Sequence, residues 1–280
     1  MKKIFVINSR GEKEPFSFHK IYQSARRVGA SKKLAFEIAK TIEKEAYSGI
    51  RTSQIFKKVL KLLLLENKSA SLKFNLKEGI RRLGPSGFPF EKYIGEIFKR
   101  EGFEVNFNLR LKGRCGVFYE VDFLAQKKNR TYIVECKFHK DLGARVDLKT
   151  ALMNYARFLD LKKGEYFKKF QNGKVFPLLV TNAKFTNQTI RYSNCVGQKL
   201  LGWKYPKKKG LERIIDQNKL YPITILPSLK THFLDVFVEK KMMLAGDLLK
   251  YKINQLSSIL NLPLKHLEPL TKEAKILLEN

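Results

Sequence analysis

Eight residues, LGPSGFPF at 83–90, hold two glycines and two prolines and divide the chain into stretches with different hydrophobic periods. Before the break the apolar positions recur every three to four residues, the spacing of one helix face. Phe18, Ile21, Tyr22 and Ala25 make one such face; Leu34, Ile38 and Ile42 a second; Ile55, Val59, Leu62 and Leu63 a third; residues 69–82 supply a fourth helix. Ser31 and Thr52 stand where N-caps belong, Gly29 and Gly49 where helices stop. A short strand over 3–7 and a turn centred on Gly11 precede them, so this part reads as a β-turn and a small helical bundle. After the break a helix over 91–102 leads into three strand-like runs, FEVNFNL, GVFYEVDFLA and TYIVECKF, with KKNR (127–130) turning the second into the third. A helix over about 147–162, a strand over 174–181, a helix over 187–196 and a short strand at 199–203 complete a mixed α/β sheet packed by helices. The tail, 225–280, reads as two or three helices broken by Pro227 and Pro263. The expected domains are 1–85, 86–224 and 225–280, without internal repeats.

Charge narrows the partners. The 280 residues carry 56 Lys plus Arg against 26 Asp plus Glu, a net of +30. A field of that size favours polyanions, nucleic acid first and an anionic membrane surface second. It is uneven: residues 1–85 hold 20 basic and 7 acidic residues, whereas 225–280 hold 8 and 6. Compositional drift alone would not leave the tail nearly neutral, so the first two segments are the expected polyanion contacts. Cys115, Cys136 and Cys195 are too few and too scattered for a disulfide framework, and none has CxxC spacing for a structural zinc. The first residues make a strand and not a secretory segment, and the longest later apolar run is Leu62–Leu65. A cytoplasmic protein with no membrane partner is expected.

Charged residues interrupt two otherwise apolar strands. Asp122 sits in VDF; Glu135 and Lys137 share one face of IVECKF by the two-residue period, with Cys136 on the other face as a small core side chain. If the strands form an antiparallel hairpin, Asp122 and Glu135 lie about equally far from the KKNR turn and come together. Two carboxylates so placed suit a hard divalent cation, Mg²⁺ or Mn²⁺, completed by waters and substrate phosphate. Lys137 beside it can orient the attacking water or stabilise the phosphorus transition state. Glu91, opening the preceding helix, is a third candidate metal ligand, though a first-turn Glu also complements the helix dipole. An Asp–Lys ion pair at a sheet rim is the alternative for the strand residues. His139 is a candidate phosphate contact or a solvated loop residue.

Asp122, twelve residues, then Glu135-Cys136-Lys137 resembles the core motif of the PD-(D/E)xK nuclease superfamily. With Phe90-Glu91 at the first helix and TNAKFTNQTIRYSNCVG downstream, the stretch from LGPSG to LYPIT is similar to Mrr-like restriction endonucleases. The first 85 residues resemble an ATP-cone, through KIFVI, PFSFHKI and TSQIFKKVLKLL. That resemblance implies a nucleotide effector, ATP or dATP, bound by Lys20 with Arg10 and the backbone at Gly11; Asn8 and Ser9 replace the basic pair usual before that glycine. Together the resemblances imply a Mg²⁺-dependent DNA endonuclease tuned by nucleotide, with Asp122, Glu135, Lys137 and Glu91 at its centre, acting as a homo-oligomer. Two alternatives stay open: a nucleotide-sensing DNA-binding regulator without cleavage, and a repair or junction-resolving nuclease.

Overall fold

Short polar caps start the N-terminal helices. The computed structural model describes residues 4–168 and 174–279; Lys3, first residue of the expected strand, and Asn280, last of the tail, lie outside them. The chain divides into two compact units, one of residues 1–79, 223–231 and 245–280, the other of 80–222 and 232–244.

In the first unit β1 (Phe5–Ile7) is followed by β2 (Lys13–Pro15), α1 (Phe18–Arg27), α2 (Lys32–Glu45), β3 (Ile50–Arg51), α3 (Thr52–Glu66) and α4 (Lys68–Phe74), and α5 (Leu76–Arg81) begins in it, the unit ending within that helix at Gly79. The Ser17 and Ser31 side chains accept from Lys20 N–H at 3.2 Å and Leu34 N–H at 3.0 Å, satisfying donors that a helix start leaves free. Ile21, Ala25, Ile38, Ile42, Val59 and Leu63 are buried together, so the expected faces are the core faces. Three details differ from the sequence reading. β1 is the centre of a three-stranded sheet, antiparallel to β2 and parallel to β3, where a single strand was expected; β2 and β3 are too short to show a period. Arg51, not Thr52, is the N-cap of α3, its backbone N–H held by Gln54. The fourth helix is two, α4 and α5, separated at Asn75.

The second unit is built on a five-stranded sheet. α6 (Phe88–Arg100) precedes β4 (Glu104–Lys112), β5 (Phe118–Lys127) and β6 (Arg130–Lys137). Then come β7 (Arg145–Val146), α7 (Leu148–Lys162), α8 (Glu165–Lys168), β8 (Lys174–Thr181), β9 (Lys184–Phe185), α9 (Asn187–Val196), β10 (Lys199–Leu201), α10 (Leu211–Gln217) and α11 (Leu234–Glu239). Strand order is β10-β8-β6-β5-β4; β4, β5 and β6 run antiparallel, whereas β8 is parallel to both β6 and β10. This is the mixed α/β class read from the sequence. Adjacent residues of β5 point to opposite faces: Phe123 meets Phe98 of α6, whereas Leu124 joins Phe158 and Leu161 of α7. The sheet is therefore covered by α6 on one side and α7 on the other.

The tail contributes α12 (Ile253–Leu260) and α13 (Leu264–Leu278). It is not a separate extension: α13 packs on α4, with Leu267, Leu270, Ala274 and Leu277 buried. Thr224 donates its hydroxyl to the Gly79 carbonyl at 2.6 Å, and a Cβ on Gly79 would stand 2.9 Å from Ile225 Cα, so a glycine is needed for that approach. The first unit closes at Gly79, six residues before the expected boundary at 85. Among the described residues no helix is long and apolar enough to cross a membrane.

Candidate active site

A two-residue turn at Lys128-Asn129 sets the register of the central hairpin, pairing Lys127 with Arg130 and Phe123 with Val134. One step further Asp122 stands opposite Glu135, and Asp122 Oδ2 accepts the Cys136 N–H at 2.7 Å. The β4–β5 ladder is interrupted there, at Asn108, whose φ of +54° is unusual for a residue with a side chain. The hairpin reading of the sequence is thus realised: Asp122 and Glu135 meet across neighbouring strands, with Lys137 one period further along β6.

The electrostatics of this strand end are those of carboxylates held too close. Burial, then Glu135 and then Glu91 raise the Asp122 carboxyl to about 7, against the pull of the Cys136 N–H. Glu91, on the first turn of α6, is raised by burial and then by Glu135. Cys136, placed in the core by the sequence reading, is half-buried, and burial followed by the charges of Asp122, Glu91 and Glu135 pushes its thiol up. Next to Glu91, the Lys92 ammonium lies between the rings of Phe88 (4.8 Å) and Phe107 (4.0 Å), and burial lowers its pKa.

A further cation enters from α7. The Arg157 guanidinium donates to Glu135 Oε2, to Asn154 Oδ1 at 3.3 Å and to the Glu120 carbonyl at 3.4 Å. The ion pair at the sheet is thus Arg157–Glu135, not an Asp122–Lys137 pair. Sequence reasoning missed Arg157 because its partner lies 22 residues away on another element; the Asn154 and Arg157 spacing, three apart on one helix face, was the available signal. The end of β6 is clamped to β8: Thr181 donates to the Lys137 carbonyl at 2.6 Å, and Asn182 bonds the backbone N–H and C=O of His139 at 2.8 and 2.7 Å. Lys137 itself is exposed. His139 is half-buried; burial and then Lys137 hold its pKa down.

The donor set is that of a site for Mg²⁺ or Mn²⁺ only in part. Mutually repelling carboxylates are the oxygen ligands such ions take. Among the described residues, however, no three His, Cys, Asp or Glu side chains are grouped to hold an ion. Asp122 and Glu135 would offer such an ion two carboxylates, with Arg157 now bonded to Glu135, and Glu91 acts on Asp122 through its charge.

In the first unit the residues expected to face a nucleotide lie together but satisfy one another. Lys20 pairs with Glu14 at 3.1 Å and Arg10 with Glu12 at 2.6 Å. Asn8 donates to both glutamates, at 2.6 and 2.9 Å, and Gly11 turns the loop at φ +80°. Both ion pairs are solvent-exposed, so each cation is held only weakly.

No family model matches the chain. It is 39% identical over 133 residues to an uncharacterized protein of Archaeoglobus fulgidus, a match covering 48% of this chain and 71% of that one. A crystal structure of a protein of unknown function, AF1548, superposes with a TM-score of 0.59 at 32% identity, over 70% of this chain and 100% of the other. The chain belongs to the family of that uncharacterized Archaeoglobus fulgidus protein.

Proposed function

We propose that the second unit is a divalent-metal-dependent deoxyribonuclease of the PD-(D/E)xK kind, with Asp122, Glu135 and Lys137 at its centre. The observation that carries this reading is the Asp122–Glu135 juxtaposition across β5 and β6, where burial first and the Glu135 charge second raise Asp122 to about 7. Asp122 and Glu135 would hold the ion, which when bound lowers the pKa of water and neutralises phosphate charge. The Cys136 N–H fixes one Asp122 oxygen and leaves the other to bind. Lys137 orients the water whose oxygen bonds to phosphorus as a P–O ester bond breaks, the departing oxygen taking a proton. Arg157, once off Glu135, presents a two-pronged donor suited to a phosphate.

Nucleotide control of this activity is a separate proposal: ATP or dATP at Lys20, Arg10 and Gly11 would displace the exposed, weak pairs to Glu14 and Glu12. Plasmid cleavage with Mg²⁺ or Mn²⁺ tests the centre. Asp122→Ala and Lys137→Ala should each lower the rate by about 100-fold or more, as removal of other electrostatic catalytic groups does, with DNA affinity retained. Substantial nicking by either purified variant would overturn the assignment.

A further inference from the structure

The hairpin joining β4 to β5, RLKGRCGVF at 110–118, carries an aromatic residue where solvent exposure is costly. Phe118 is 54% exposed and its neighbour Val117 49%. In the β4–β5 register Lys112 stands opposite Phe118 and Arg110 opposite Glu120. The Arg110 guanidinium lies over the Phe118 ring at 4.9 Å from its centre and the Lys112 ammonium over it at 5.7 Å, while the side chain as a whole stays exposed. Arg114 at the tip and Lys163 after α7 both lie close enough to act on the Cys115 thiol.

The tip is rigidly built. Asp160 of α7 accepts the Cys115 N–H on its carboxylate at 2.9 Å and the Arg114 N–H on its carbonyl at 3.2 Å. Gly113 donates to the Val117 carbonyl at 2.8 Å. A Cβ on Gly113 would lie 1.9 Å from Asp160 Oδ2, and one on Gly164 would lie 2.4 Å from the Lys112 carbonyl. Such close approaches hold the loop against α7, and its shape exists before any partner arrives. An exposed aromatic ring on a held loop with cations beside it is the combination that binds unpaired nucleotides: the ring stacks on a base, and the cations, free to swing off the ring, take the phosphates. Phe118 also shares β5 with Asp122, four residues and about 13 Å along the strand, so a strand stacked there can extend to the carboxylate pair.

We propose that Phe118 is a stacking platform for an unpaired base of a DNA strand whose phosphates are held by Arg110, Lys112, Arg114 and Lys163. The proposal rests on the reading of DNA as substrate and narrows it to DNA with a single-stranded segment next to the cleaved bond. The test is fluorescence anisotropy of the full chain in EDTA at physiological salt, with a labelled single strand and the same sequence as duplex. Phe118→Ala should weaken single-strand binding about tenfold, the scale of one base–aromatic stack, and change duplex binding far less; Phe118→Trp should restore it. Equal loss on both substrates, or no loss on either, would overturn the platform. Thermal melts of the variants confirm that the exposed position leaves the fold intact. Because binding is read without metal, substantial nicking by Asp122→Ala or Lys137→Ala would overturn the nuclease reading and leave this one standing, and the converse holds.

Discussion

Replacing Asp122 by Asn should stabilise the metal-free protein at alkaline pH, an unusual outcome for a substitution in a candidate active site. The folded chain holds this carboxyl near 7, whereas an unhindered aspartate titrates at 3.8. Protonation therefore favours the folded state: the stabilisation is complete below pH 3.8 and is lost as pH rises through 7. A separation of about three pH units, at about 1.4 kcal/mol each, makes about 4 kcal/mol the ceiling of the cost of holding Asp122 charged. Asparagine keeps an oxygen for the Cys136 N–H and removes the charge that opposes Glu135 and Glu91. In EDTA the variant and the parent should melt together near pH 4, and the variant should melt progressively higher up to about pH 7, with a constant gap above. Added Mg²⁺ should narrow that gap by stabilising the parent alone, since a ligand that binds only the folded state raises its stability. A gap that is absent at pH 8, or that favours aspartate there without metal, would refute the burial and charge crowding that raise Asp122.

Arg157→Ala should tighten Mn²⁺ binding, measured by calorimetry, by about fivefold, because it removes a competitor for Glu135 whose partly exposed ion pair is worth about 1 kcal/mol; unchanged or weaker binding would show that the arginine does not compete with the ion. Leu267→Ala, at a fully buried position of α13, should cost about 2–5 kcal/mol and be seen as earlier denaturant unfolding of the first unit; a loss below about 0.5 kcal/mol, the surface-substitution range, would mean that the tail does not share that unit's core.

Local patterns carried much of the architecture. The strand at 174–181 and the helix at 187–196 occur with the bounds read from the sequence, because an apolar run and a Thr186 cap mark their ends within a few residues. The Asp122–Glu135 pair was also legible: a hairpin with a two-residue turn fixes register, so positions equidistant from KKNR must meet. What escaped depends on partners remote in the chain. β2 and β3 are two or three residues long and exist only because β1 pairs with both. Arg157 looks like any basic residue of an amphipathic helix until α7 is laid across the sheet and its guanidinium reaches Glu135. Lys20 and Arg10 read as free cations until the turn folds Glu14 and Glu12 onto them. The tail's helices were visible from their period, but nothing in their sequence says which core their apolar face completes. Periodicity, caps and turn length are decided by near neighbours and can be read in one dimension; the match of one buried face to another, and of a charge to its counterion, is decided only when the chain has closed on itself.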